Sequence, residues 1–176
     1  NPVDVQIYTD EQGKRIGGTL RADNQSVEFG GVGTMSQSKN NGIDPQKLVE
    51  KYGADTARLF IMFASPPEQT LEWVDTGVEG AFRFLNRLWK QVYNHLQLGT
   101  VETKTNNTVS TELKSLRFQL HHTIAKVSDD FGRRHSFNTA IASIMELMNA
   151  LAKIHGSDTT SRSLVQEVLE NVVLLL

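Results

Sequence analysis

A glycine-flanked loop is the stretch of this sequence whose residue types are best suited to chemistry. The segment 30–42 combines glycines with hydroxyl and amide side chains and has no apolar periodicity. Backbone N–H groups exposed at glycines, together with hydroxyls and amides, can surround the oxygens of a phosphate group. The loop therefore predicts either a phosphate-binding element or a plain connector. Its polar and charged members are Thr34, Ser36, Gln37, Ser38, Lys39, Asn40 and Asn41, with Met35 between them.

This loop matches neither of the common nucleotide-binding fingerprints. It is not a Walker A loop, because no Gly-Lys-Ser or Gly-Lys-Thr follows its glycines. It is not a dinucleotide fingerprint either, because Gly31 and Gly33 lack a third glycine and the surrounding βαβ unit. Composition alone leaves the connector interpretation open.

Two groups of basic residues could contact nucleic acid. Arg83, Arg87 and Lys90 follow one another at i, i+4 and i+7, which places them along one side of a predicted helix. Arg133 and Arg134 form a second group at a predicted helix junction. Phosphate contacts by Lys and Arg are one interpretation, and a solvated helix face is the other. Since 18 Lys and Arg face 20 Asp and Glu, for a net charge of −2, only such local patches could hold nucleic acid.

The sequence predicts no metal site and no cysteine chemistry. The absence of cysteine excludes disulfides and thiol nucleophiles and permits a reducing compartment, so we expect a cytoplasmic protein. His121 and His122 are adjacent and therefore point to different sides of a helix. Asp129 and Asp130, also adjacent, are interpreted as a solvated face rather than an acid/base pair. The longest apolar run, 172–176, is far shorter than the roughly 20 residues of a membrane span.

A small β segment and short capped helices must position the loop. Alternating apolar residues within 1–32, around the turn at 10–13, predict a β hairpin or meander. Asp44 followed by Pro45 predicts a helix start, and Gly53 predicts its end. Asp55 is expected to cap a second helix over 56–63, which the prolines at 66 and 67 would stop.

Four further apolar repeats at gaps of three and four predict long amphipathic helices joined into an antiparallel bundle. The fold class expected is thus mainly α with a small β segment. Phe82, Trp89 and Trp73 fall on apolar spacing and are predicted to be core side chains rather than base-stacking platforms. Ser136 is expected to cap the third long helix and Gly156 to end it. The repeats are Val78, Phe82, Leu85, Trp89, Val92 and Leu96; Leu113, Leu116, Leu120, Ile124, Val127 and Phe131; Phe137, Ile141, Ile144, Met148 and Leu151; and Leu164, Val168, Val172 and Leu176.

The order of residues in the loop carries a family resemblance. Thr34-Met35-Ser36-Gln37-Ser38-Lys39-Asn40-Asn41-Gly42 resembles the KMSKS signature loop of class I aminoacyl-tRNA synthetases. Ile43-Asp44-Pro45 and the segment 52–60, Tyr-Gly-Ala-Asp-Thr-Ala-Arg-Leu-Phe, are similar to the helix that follows this loop in the branch for branched aliphatic amino acids. The segments 63–66, 71–73, 137–141 and 145–149 resemble the bacterial leucyl members in particular. The resemblance covers almost the whole chain.

This resemblance implies an architecture and an activity. It implies a β segment over 1–32, the signature loop and following helices over 33–73, and an anticodon-binding-type bundle over 74–176 that is truncated at its C-terminus. It also implies a parent enzyme that activates leucine with ATP and Mg²⁺ and transfers it to tRNA(Leu). Residues 34–39 would then contact ATP, and the rest of the synthetase chain would be a partner of this segment. The tRNA would lie against the helical domain, at Arg83, Arg87, Lys90, Arg133 and Arg134.

The sequence departs from the family pattern at two points. Thr34 and Gln37 occupy the positions of the two signature lysines, and the loss of one preorganised oxyanion donor typically lowers a rate about 10²- to 10³-fold. Lys39, one position beyond the signature, is the candidate replacement. The histidines at 95, 121, 122, 135 and 155 form no His-x-Gly-His motif, so this segment alone is expected to be inactive. The alternatives are a sister synthetase for isoleucine, valine or methionine, and a non-catalytic RNA-binding or scaffold module that kept the fold.

Overall fold

The computed structural model describes residues 4–9, 11, 15–27, 33–36, 38–39, 41–99, 101, 110–155 and 158–176. It is mainly helical with a small antiparallel sheet, which confirms the expected fold class. The chain divides into two compact units, Asn1–Leu48 and Val49–Leu176. The three-part division at 1–32, 33–73 and 74–176 stays a prediction.

The first unit contains a β hairpin, as the alternating apolar residues predict. Strand β1 (Val5–Thr9) pairs antiparallel with β2 (Arg15–Leu20), and the register shifts between Tyr8 and Thr9. The chain then turns at Asn24, which has a φ of 57°, and returns along β2 through a bridge between Thr19 and Ser26. Of the predicted turn at 10–13 only position 11 is described, and Val3, Phe29 and the glycines at 30 and 31 also lie outside the described residues.

Local chemistry sets the limits of the first helix, α1 (Pro45–Tyr52). The Asp44 carboxylate accepts a hydrogen bond from the Gln46 N–H at 3.0 Å, which confirms the predicted start. Gly53, with a φ of 84°, ends the helix in a conformation that favours glycine. The predicted cap at Asp55 is wrong, because Gly53 itself begins the next helix, α2 (Ala54–Ala64). Asp55 instead lies in the first turn, where its charge suits the helix dipole and pairs with Arg58 at 2.7 Å.

The second unit is built from α2 and four further elements around one apolar core. These are α3 (Asp75–Gln97), α4 (Thr111–Asp129), α5 (Phe137–Leu151) and α6 (Thr159–Leu175), with a π-helical turn over Asp130–Arg134. Helices α4, α5 and α6 pack on one another, while α2 packs against both α3 and α5. None of the described helices is long and apolar enough to cross a membrane. The largest fully buried apolar side chains are Val78, Leu120, Ile144, Leu147, Met148, Leu164, Val168 and Val172.

The predicted core face of α3 is wrong for several of its large residues. Phe82 is 38% exposed, Trp89 75% and Leu96 52%, whereas Ala81, Phe84 and Leu88 are buried. The physical reason lies at Gly77, where an added Cβ would come within 2.7 Å of the Phe60 ring. Helix α3 thus lies close to α2 at Gly77, and its buried face continues through Ala81, Phe84 and Leu88 instead of through Phe82 and Trp89. Trp73 is half-buried and packs edge-on against Phe60, with ring centroids 5.0 Å apart.

The ends of the last helices differ in detail from the predicted ones. Helix α5 follows Ser136, but the Ser136 side chain makes no capping hydrogen bond. The helix ends at Leu151, and Gly156 lies outside the described residues. Asp158 is the N-cap of α6, and its carboxylate accepts hydrogen bonds from the Ser161 hydroxyl and from the N–H groups of Ser161 and Thr160. These hydrogen bonds, that of the Ser161 hydroxyl most of all, hold the pKa of the carboxyl below its usual range. Phe131 and Leu176, predicted on core faces, are 37% and 46% exposed.

Candidate phosphate-binding loop and basic surfaces

The signature-like loop is held together by one asparagine side chain. Asn41 accepts a hydrogen bond from the Ser36 N–H at 2.8 Å through Oδ1 and donates to the Thr34 carbonyl at 3.3 Å through Nδ2. Because the two backbone groups flank Met35, a single amide fixes the peptides on both sides of that residue. The loop therefore has a defined shape in the part of it that the structure describes.

Ser36 is the centre of a second set of hydrogen bonds in this loop. The Ser36 hydroxyl lies 3.2 Å from the Ser38 hydroxyl and accepts from the Lys39 N–H at 3.3 Å. Thr34, Met35, Ser38 and Lys39 are exposed. Hydroxyls and an ammonium group are thus gathered on one exposed turn, where they can meet an anion. Gln37 and Asn40 lie outside the described residues.

The predicted basic stripe on α3 is exposed to solvent. The Arg83 side chain is 70% exposed, and its Nη1 is 3.8 Å from Glu79 Oε2, which is a weak contact. The Arg87 guanidinium lies 5.8 Å from the centroid of the Phe84 ring, and Lys90 is exposed. These positions therefore keep most of their charge available to a partner. Arg83 and Arg87 also line an open cavity of about 690 Å³, together with Phe60, Phe63, Met145 and Asn149 among others.

The predicted basic group at the α4–α5 junction is engaged in ion pairs. Arg133 makes two hydrogen bonds to Asp129, Nε to Oδ1 at 2.6 Å and Nη2 to Oδ2 at 2.9 Å. This pair lowers the pKa of the Asp129 carboxyl and raises the pKa of the Arg133 guanidinium. The Arg134 Nη1 lies 3.2 Å from Asp130 Oδ1. Both arginines thus hold a carboxylate of their own helix turn.

Asp130 corrects the prediction of a solvated acidic face, because its side chain is fully buried. Its Oδ2 accepts from Lys126 Nζ and from Thr139 Oγ1, both at 2.6 Å. Burial raises the pKa of Asp130. The hydrogen bonds from Lys126 and Thr139 and the charges of Lys126 and Arg134 lower this pKa by more than burial raises it, so it lies below the usual range. Asp130 is buried because it continues the buried face of α4, following Thr123 and Val127 at gaps of four and three, whereas the adjacent Asp129 points to another side of the helix.

Histidines and carboxylates make no metal site in the described part of the chain. His121 Nε2 is 4.0 Å from Glu167 Oε1, and the His122 ring stacks on Phe118 with centroids 6.3 Å apart. His95 is buried in α3. Among the described residues, no group of three or more His, Asp or Glu side chains is placed to hold a metal ion.

Sequence reasoning missed the polar links that join the helices. Arg162 of α6 donates to the carbonyls of Leu98 and Gly99 and so caps the end of α3. Arg117 of α4 pairs with Glu167 of α6 at 3.1 Å. These partners are 50 or more residues apart and left no local pattern. The ion pairs of Asp130 at the α4–α5 junction did leave a local pattern, since Lys126, Asp130 and Arg134 are spaced at i, i+4 and i+8.

Comparison with known proteins places these features in a family. A family model of tRNA synthetases class I (I, L, M and V) matches residues 30–74, which include the loop. The chain is 70% identical over its whole length to a leucine–tRNA ligase of Nitrosospira multiformis, and 62% to that of Nitrosomonas europaea, and it spans 21% of each relative. Its fold is similar to that of a LeuRS–tRNA–LeuAMS ternary complex from Agrobacterium radiobacter K84, with a TM-score of 0.68 and 28% identity over 80% of this chain and 18% of that one.

Proposed function

Because the chain belongs to the class I aminoacyl-tRNA synthetases and corresponds to a segment of their leucyl members, we propose that its parent enzyme activates leucine with ATP and esterifies it to tRNA(Leu). The observation that carries this proposal is the match of the whole chain to leucine–tRNA ligases, at 70% identity in one relative. Isoleucine, valine and methionine enzymes share the family model, but the curated relatives named above are all leucine ligases.

In this proposal the loop of residues 33–42 binds the phosphates of ATP. The reaction forms a bond between the leucine carboxylate and the α-phosphorus and releases pyrophosphate, so negative charge on phosphate oxygens has to be stabilised. Thr34, Met35, Ser36, Gln37, Ser38 and Lys39 are the proposed contact residues, with Lys39 as the cation. The support is the exposed turn in which the Lys39 N–H bonds to Ser36. Mg²⁺ that accompanies ATP in the parent enzyme is part of the same proposal.

The proposed tRNA contacts are the basic residues of the helical unit. Arg83, Arg87 and Lys90 would bind backbone phosphates, because they are exposed and, within the part of the chain that the structure describes, at most weakly paired. Arg133 and Arg134 are proposed as secondary contacts, because ion pairs with Asp129 and Asp130 occupy part of their hydrogen-bonding capacity. The related ternary complex contains tRNA, which supports a tRNA partner for this fold.

Leucine-dependent ATP–pyrophosphate exchange by the full-length enzyme tests the proposed reaction. We expect exchange with leucine and not with isoleucine, valine or methionine. Lys39→Ala should lower kcat/KM for ATP about 10²-fold, as the removal of an oxyanion donor does elsewhere. An unchanged rate would remove Lys39 from the site. No exchange with any amino acid would favour a non-catalytic RNA-binding module, for which the neutral Thr34 and Gln37 are the sequence evidence.

The 176-residue segment tested alone should not aminoacylate tRNA, because its sequence contains no His-x-Gly-His motif. Charging of tRNA above background by the purified segment would contradict this expectation.

A further inference from the structure

The side chain of Asn41 links two backbone groups of the candidate phosphate-binding loop. Its amide faces the Ser36 N–H and the Thr34 carbonyl and thus uses one acceptor and one donor on the loop's own backbone. The described residues 33–36, 38–39 and 41–42 belong to no helix or strand. A segment without such backbone pairing depends on side-chain hydrogen bonds for a defined shape.

The residues that Asn41 orders are those proposed to meet ATP. Met35 lies between the two bonded backbone groups, and Ser36, once fixed, accepts from the Lys39 N–H and bonds to the Ser38 hydroxyl. The asparagine is therefore the first link of a chain of hydrogen bonds that ends at the main chain of Lys39. These hydrogen bonds fix the backbone at Lys39 and so the point from which its side chain extends.

We propose that Asn41 is a positioning residue that holds the turn from Thr34 to Lys39 in the shape that receives the phosphates of ATP. This inference rests on the proposed function. Preorganised donors stabilise an anion because they need no reorganisation at the moment of reaction. Shape matters more in this loop than in one with two lysines, because Thr34 and Gln37 carry no charge. In this proposal Asn41 acts on the nucleotide through the loop backbone to which it is hydrogen-bonded.

The test uses the full-length enzyme with Asn41→Ala and Asn41→Leu. Both variants remove the two hydrogen bonds, and leucine keeps the number and branching of the side-chain heavy atoms of asparagine. We expect kcat/KM for ATP in pyrophosphate exchange to fall about tenfold in both, the effect of losing about one net hydrogen bond from the productive state. The KM for leucine should not change. Amide hydrogen exchange at Ser36, measured without nucleotide, should become faster in both variants.

A matched control is Asn86→Ala. Asn86 donates from Nδ2 to the Phe82 carbonyl at 2.9 Å on exposed α3, and its loss should change neither measurement. Faster exchange at Ser36 with an unaltered kcat/KM for ATP would overturn the inference, because the clamp would then shape the loop without serving the nucleotide. Unaltered exchange at Ser36 would also overturn it. Failure of the proposed function is distinguishable, since the unsubstituted enzyme would then show no leucine-dependent pyrophosphate exchange.

Discussion

Two basic regions of the helical unit look alike in sequence and differ in structure. The α3 stripe of Arg83, Arg87 and Lys90 is exposed, and among the described residues its one carboxylate contact is that of Arg83 with Glu79, at 3.8 Å. At the α4–α5 junction, Arg133 and Arg134 bind Asp129 and Asp130 at 2.6 Å and 3.2 Å. The stripe presents charge to the outside, whereas the arginines at the junction are paired with carboxylates of their own helical segment.

The difference shows that cation spacing does not by itself identify a nucleic-acid surface. A guanidinium already bonded to a carboxylate has to break or share that bond before it serves a phosphate, and its net charge toward the partner is small. The carboxylates four residues upstream were visible at the junction, as was Glu79 before Arg83. What the sequence could not show is that the Asp130 carboxylate is fully buried while the Glu79 carboxylate is exposed at the surface.

The largest effect should come from the buried carboxylate. Asp130→Ala leaves Lys126 and Thr139 without their common acceptor and Arg134 without its ion-pair partner, so the free energy of unfolding should fall by about 3 kcal/mol. This is the lower end of the range for a broken buried pair, because both cations can turn toward solvent. Asp129→Ala, one residue away, should leave the urea midpoint nearly unchanged. Equal losses in the two variants would mean that the two aspartates are not distinct.

Substitutions in the α3 stripe should weaken tRNA binding more than substitutions at the α4–α5 junction, whereas for stability the junction matters more. Arg83→Glu with Arg87→Glu should weaken the binding of tRNA(Leu) by the full-length enzyme about 10- to 100-fold and reduce the slope of log K against log salt by about 1 to 2. Arg133→Glu should have a smaller effect on both quantities, because Arg133 is already paired. Filter binding at several salt concentrations measures them. An unaltered slope in the double variant would count against the α3 stripe as the tRNA surface.

A smaller effect on stability should follow from a change at the close contact between α3 and α2. Gly77→Ala places a Cβ 2.7 Å from the Phe60 ring, so α3 or Phe60 has to move, and we expect a destabilisation of about 1 to 2 kcal/mol. Gly80→Ala is the control, because its added Cβ meets only the Arg83 guanidinium at 4.0 Å. That variant should gain up to about 1 kcal/mol from helix propensity. Urea unfolding of both variants distinguishes close packing from propensity.

Local chemistry and apolar spacing predicted most of the helices. The limits of α1 were predicted correctly, because the conformational preferences of Asp44, Pro45 and Gly53 act locally. The spacing of Leu113, Leu116 and Leu120 identified the buried face of α4, because only one apolar face exists there. Spacing failed on α3, because a second face with Phe84 and Leu88 competes with the predicted apolar face, and the choice between them depends on packing against α2. Asp130 follows the buried positions Thr123 and Val127 at helical spacing, but its hydrogen bond from Thr139 comes from another helix, which no local pattern specifies.

The smallest of the expected effects is a difference between Asp130 and Asp129 in how their contributions to stability depend on pH. The pKa of Asp130 is held below its usual range, so its contribution to stability is complete above the ordinary carboxyl pKa of about 3.9 and is lost as the pH falls through the lower folded-state value. The stability difference between the unsubstituted protein and Asp130→Asn should therefore shrink between pH 5 and the acid limit, where both carry a neutral side chain. A difference that stays constant with pH would mean that Asp130 is not the charged partner of Lys126 and Arg134. Asp129→Asn should give a much smaller pH-dependent difference, because the Asp129–Arg133 pair is exposed to water and is screened by it.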